Sequence, residues 1–81
     1  MTQLGQALVH VRAGRWDEAH RLAQEDHSEL GAWLHGILHI QQGDLENAAY
    51  WYGKARRDFR GCGSLDEEVA RFEAALAQSL A

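Results

Sequence analysis

Histidine supplies the strongest indication of chemistry in this sequence. His35 and His39 are four residues apart, so a helix would place both imidazoles on one face, as it does for two metal ligands. With His10 from a neighbouring helix they would make a metal-binding protein or a metal-dependent enzyme. However, Gly36 stands where a zinc-protease helix has glutamate, and no Cys-x-x-Cys or regularly spaced carboxylate completes a ligand set. We therefore expect no tight zinc or nickel site, no cofactor, and structural roles for these rings.

The other reactive groups do not form a catalytic set. Cys62 lies between two glycines in a loop that offers no ordered base, so an inert thiol is expected. The glutamates of the last helix are interpreted as its solvated face and cap. They are Glu67, Glu68 and Glu73. His20 and His27 are expected to face solvent. No catalytic residue and no enzymatic activity are predicted.

The elements that must position these residues are helices. Proline is absent, and the apolar residues recur at helical spacing without a competing strand pattern, so the fold is predicted to be all-α. The predicted helices span about 2–13, 15–25, 29–42, 44–58 and 65–80. Asp26 or Ser28 should cap the third helix and Asp44 the fourth, while Ser64 with Glu67 is a capping box.

Composition limits the function classes. The chain has 81 residues and a net charge of -4, so we expect one domain and no nucleic-acid partner, because phosphate binding requires many cations. No apolar stretch approaches the roughly 18 residues of a membrane span, and no leader sequence is apparent. The single cysteine excludes an internal disulfide. A cytoplasmic protein is expected.

Two segments of the chain resemble each other at a shift of 29 residues, so that His10 aligns with His39. The segments are ALVHVRAGRWDEAHRLAQE (7–25) and GILHIQQGDLENAAYWYGK (36–54). Gly14 aligns with Gly43 at the predicted end of a helix, where a left-handed residue is favoured. Each unit therefore predicts a helical hairpin, over about 2–25 and about 29–58, that cannot bury its apolar face alone.

These hairpins resemble tetratricopeptide repeats (TPR). The second unit matches that family's pattern of small, apolar and aromatic positions, with histidine in its first aromatic position. The matching residues are Gly36, His39, Gly43, Leu45, Ala48, Tyr52 and Ala55. The period is shorter than the usual 34 residues, and the first unit fits less well. The segments WDEAHRLAQ, AWLHGILH and GDLENAAYWYGKA also look like a group of small uncharacterised bacterial helical proteins. The TPR resemblance implies two stacked hairpins, a helix over about 65–80 that caps them, and binding of a peptide or protein.

Three consecutive aromatic residues suggest where such a partner would bind. Neighbours on a helix are about 100° apart, so Tyr50, Trp51 and Tyr52 cannot all face one core. Tyr52 is predicted to be buried, Trp51 half covered at the seam with the neighbouring helix, and Tyr50 the most exposed. The fifth helix, docked beside the second hairpin, can cover Trp51 or Tyr50 but not both. With Arg57, Tyr50 and Trp51 form a candidate surface for an unknown protein, a peptide or a second copy of the chain.

Overall fold

The computed structural model describes residues 2–80, which form five α-helices and no strand, so the all-α prediction is confirmed. The helices are α1 (Gln3–Arg12), α2 (Trp16–Gln24), α3 (Glu29–Gln42), α4 (Leu45–Lys54) and α5 (Leu65–Ser79). Within these residues, no helix combines the length and the apolar character needed to cross a membrane.

Side-chain caps account for the start of four helices. Thr2, Ser28 and Asp44 each accept a hydrogen bond from a backbone N–H in the first turn of α1, α3 and α4 respectively. At α5, Ser64 and Glu67 form the reciprocal pair that defines a capping box, as predicted. These caps satisfy N–H groups that have no partner within the helix.

Left-handed residues close both hairpin turns. Gly14 and Gly43 have φ of 77° and 88°, and each turn carries a pair of hydrogen bonds back to the preceding helix. The same closure ends α4 at Arg56 (φ 60°), where Arg57 N–H donates to the Tyr52 carbonyl. Helix α4 therefore ends at Lys54 rather than near residue 58, because an arginine adopts the conformation that normally favours glycine.

Helix α3 forms the centre of the structure. Residues 31–39 are all buried, and α3 packs against α2, α4 and α5, whereas α1 packs mainly on α2. One apolar cluster contains residues from all five helices or their caps. Its largest fully buried members are Trp33, Tyr52, Phe72, Leu34, Ile37 and Leu38.

The contact between α3 and α4 depends on a glycine. A Cβ at Gly36 would lie 2.6 Å from Cδ1 of the buried Tyr52 ring, so only glycine permits this approach of the two helices. Ala48 and Tyr52 are fully buried on the same face of α4. Leu45, in contrast, is 56% exposed, so the inward face of α4 is narrower than the sequence pattern suggests.

Helix α5 docks on α3, with a smaller contact to α1. Phe72 is fully buried and meets the Trp33 ring edge to face, with centroids 5.4 Å apart. Arg12 of α1 forms an exposed ion pair with Glu73 at 2.6 Å. The sequence pattern allows α5 to cover Trp51 or Tyr50, but the ring stacked on Trp51 is that of His35 in α3, and Tyr50 is 57% exposed.

Candidate functional site

Three histidines meet between α2 and α3. His35 and His39 lie one turn apart on α3, as predicted, and both are buried. The third ring is that of His20 from α2, which is half-buried rather than exposed to solvent. His10 does not join them and instead accepts a hydrogen bond from Arg15 at 2.8 Å. We call His20, His35 and His39 the histidine cluster.

The nitrogens of the histidine cluster are close enough to share a proton or an ion. His20 Nε2 lies 3.0 Å from His35 Nε2. One ligand nitrogen from each of the three rings lies within 4.8 Å of the other two. His39 Nδ1 is 3.0 Å from the amide oxygen of Gln42, which can only accept a hydrogen bond. His39 is therefore protonated at Nδ1 and presents a lone pair at Nε2 when neutral.

Two tryptophans stack on rings of the histidine cluster. Trp16 stacks on His20 with centroids 4.6 Å apart and planes 11° from parallel. Trp51 stacks on His35 at 3.9 Å and 12°. The Trp16 indole is itself anchored, because its Nε1 donates to the Leu38 carbonyl at 2.7 Å. The spacing of Trp16 and His20, one turn apart on α2, was the sequence signal that both face α3.

The surroundings of His20 and His35 favour the neutral form of both imidazoles. Burial, and secondarily the neighbouring His20 and His39, lower the pKa of His35 to about 4. Burial and His39 also lower the pKa of His20. The Nδ1 atom of His35 is buried and has no hydrogen-bond partner among residues 2–80. An unpaired buried polar atom costs on the order of 1–3 kcal/mol, so packing alone does not account for a histidine at this position.

The three consecutive aromatic residues have the predicted order of burial. Tyr52 is fully buried, Trp51 is half-buried and Tyr50 is 57% exposed.

Tyr50 and Trp51 line a cleft between α4 and the α2–α3 connection, which we call the aromatic cleft. Its lining also includes Asp26, Glu29, His35 and Lys54. The Tyr50 ring meets Trp51 at 90° and lies 5.6 Å from the Lys54 ammonium.

Arg57 does not line the aromatic cleft. Its guanidinium lies over the Trp33 ring, 3.5 Å from the centroid. It lines a separate cleft with Cys62 and Arg71. Lys54, one turn from Tyr50, is the cation that accompanies the aromatic pair.

Glu68 is buried, contrary to the prediction from the sequence. It was expected on the solvated face of α5, yet it is 2% exposed. Its Oε1 accepts from Tyr52 Oη at 2.5 Å and Trp33 Nε1 at 3.1 Å, and its Oε2 accepts from Arg71 at 2.8 Å. Burial by itself raises the pKa of Glu68, but the bonds from Tyr52, Arg71 and Trp33 outweigh it and lower the pKa. With every oxygen paired, this site stabilises the fold.

Cys62 has the surroundings of an unreactive thiol. It is half-buried and unpaired, and burial followed by the charge of Glu68 raises its pKa. A thiol with a raised pKa carries little thiolate, which is the nucleophilic form.

In comparisons with protein-family models, curated proteins and solved structures, the chain matches none.

Proposed function

We propose that this domain is a cytoplasmic protein-interaction module without catalytic activity, which binds a basic segment of a partner protein in the aromatic cleft. The observation that carries the proposal is the exposure of Tyr50 beside a tryptophan whose other face is held by His35. Tyrosine and tryptophan are enriched among residues that dominate binding energy. Because Trp51 is already stacked, little side-chain entropy is lost when a partner covers it.

The charges of the aromatic cleft favour a basic partner over a second copy of the chain. Asp26 and Glu29 contribute two carboxylates against the single cation of Lys54. Glu29 also pairs with Arg56 at 3.3 Å, but both side chains are more than half exposed, so a partner cation can replace that weak pair. Two copies of a chain with a net charge of -4 repel each other, whereas a lysine or arginine segment is attracted.

The proposed architecture is a pair of TPR-like hairpins closed by α5. In support, the two hairpin turns use the same glycine conformation. The aligned Ala19 and Ala48 are both fully buried. Stacked hairpins of this kind create continuous grooves for peptides.

Selection of random peptides on the immobilised protein would test the interaction. We expect the selected peptides to combine an aromatic or aliphatic residue with lysine or arginine, and their binding to weaken as salt is raised. Tyr50→Ala should weaken binding about tenfold or more, as loss of a dominant contact residue does. Val9→Ala is the matched control, because Val9 is 46% exposed on α1 and does not line the aromatic cleft.

Two results would contradict the proposal. One is equal binding of the selected peptides to Tyr50→Ala and to the unchanged protein. The other is a dimer in sedimentation experiments that Tyr50→Ala dissociates, which would assign this surface to self-association.

A further inference from the structure

We propose that the histidine cluster is a binding site for a divalent transition metal of the zinc type, with His20, His35 and His39 as its three protein ligands. Two histidines on one helix leave the coordination of a zinc ion incomplete. Folding supplies the third ligand, because α2 brings His20 to within 3.0 Å of His35. Three histidines with a fourth position open to water or another ligand form a complete zinc site.

The distances fit a tetrahedral ion. Zinc–nitrogen bonds of about 2.0–2.1 Å place the ligand nitrogens of a tetrahedral site roughly 3.3 Å apart. The His20–His35 nitrogen pair, at 3.0 Å, is already near that spacing. The ligand atoms of the cluster all lie within 4.8 Å of one another, so closure of the site requires movements of about 1.5 Å or less.

The residues around the cluster orient the rings. The amide oxygen of Gln42 accepts from His39 Nδ1–H, which leaves Nε2 free to bind an ion, and metal-bound histidines are commonly oriented this way. Trp16 and Trp51 stack on His20 and His35 and restrict rotation of both rings. The ligands are therefore arranged before the ion binds.

The ligand type selects the class of metal. Three neutral imidazoles favour Zn²⁺, Ni²⁺ or Cu²⁺, whereas Mg²⁺ and Ca²⁺ require oxygen ligands. Nδ1 of His35 has no hydrogen-bond partner among the described residues, whereas Nε2 points to His20. This orientation of the ring is consistent with metal binding through Nε2.

Calorimetric titration of the untagged, chelator-treated full chain with zinc tests the site. We expect one zinc per chain, a rise in the thermal midpoint with zinc but not with magnesium, and with cobalt(II) the strong visible absorption of a tetrahedral site. His20→Phe keeps a flat ring against Trp16 and should weaken zinc binding more than about 100-fold, because replacement of second-shell partners alone costs 10–100-fold. Gln42→Ala, which changes only an exposed partner of His39, should weaken binding about tenfold.

Controls separate the site from adventitious histidine binding. His10→Phe and His27→Phe lie outside the cluster and should bind zinc as the unchanged protein does. Circular dichroism in chelator verifies that each variant is folded. The site is refuted if zinc gives no saturable heat and no stabilisation, or if folded His20→Phe binds zinc with unchanged affinity. Peptide binding in chelator is a separate measurement, so failure of the metal site and failure of the interaction proposal are distinguishable.

Discussion

Replacement of the buried carboxylate at Glu68 is expected to destabilise the protein in proportion to the partners it loses. In Glu68→Gln, the amide oxygen can still accept the hydrogen bonds from Trp33 and Tyr52. Arg71, however, then faces an uncharged N–H₂ group instead of a carboxylate oxygen. Hydrogen bonds to charged groups contribute about 1.5–3 kcal/mol, and Arg71 is half exposed, so a loss of about 1.5 kcal/mol is expected. Glu68→Leu also leaves the Trp33 and Tyr52 donors buried without partners and should cost about 3–5 kcal/mol.

The effect of Glu68→Gln should depend on pH. Since the pKa of Glu68 in the folded protein is below its ordinary value of 4.5, the charged form stabilises the fold. That stabilisation is fully present above pH 4.5 and is lost as pH falls below this value through the folded-state pKa. The difference in free energy of unfolding between the unchanged protein and Glu68→Gln should therefore be largest at neutral pH and shrink in acid.

Urea denaturation followed by circular dichroism at several pH values measures this difference. The control is Glu73→Gln on the same helix, whose carboxylate also pairs with an arginine but is 55% exposed. We expect that control to change stability by less than about 1 kcal/mol. A loss of stability in Glu68→Gln that is no larger than in Glu73→Gln, or that is the same at neutral and acidic pH, would contradict a stabilising charge at Glu68.

Four further substitutions test the packing and the backbone conformation, and the stability of each variant is measured by its denaturant midpoint. Phe72→Ala should cost about 3–5 kcal/mol, because the ring is fully buried; a loss below 1 kcal/mol would show that α5 is not docked as described. Gly36→Ala should destabilise by about 1–3 kcal/mol against the Tyr52 ring, whereas Gly53→Ala, with nothing within 4 Å, should stabilise by about 0.5–1 kcal/mol. Equal effects of these two would contradict the close approach of α3 and α4. Arg56→Gly should stabilise by up to about 1 kcal/mol through relief of its left-handed backbone, and a destabilised variant would contradict that cause.

The features that the sequence predicted correctly are local ones. The caps at Ser28, Asp44 and Ser64 and the left-handed turns at Gly14 and Gly43 depend on residues within one turn of a helix end. Such signals are visible in a short window of sequence. The end of α4 was missed because arginine at residue 56 gives no local signal for a left-handed residue.

The features that were missed depend on tertiary contacts. Glu68 reads as the polar face of a helix, and only the docking of α5 places it against Tyr52 and Trp33. His20 likewise follows the charged residues of α2, and only the packing of α2 on α3 brings it to His35.

The exposure of Tyr50, in contrast, was predictable from the sequence, because a short helix has few ways to bury three consecutive rings.

The pairing of Glu68 has a consequence for the order of folding. Helices α1 to α4 contact their neighbours in the chain, so they can assemble through short loop closures, whereas α5 must find α3 and α1 across a longer separation. Until α5 docks, Trp33 Nε1 and Tyr52 Oη lack the carboxylate that accepts their hydrogen bonds. An intermediate without α5 would thus have to keep both groups hydrated, which opposes tight packing of α3 on α4. We expect α5 to dock in the same cooperative step that expels water from the core. Refolding should therefore show a single kinetic phase.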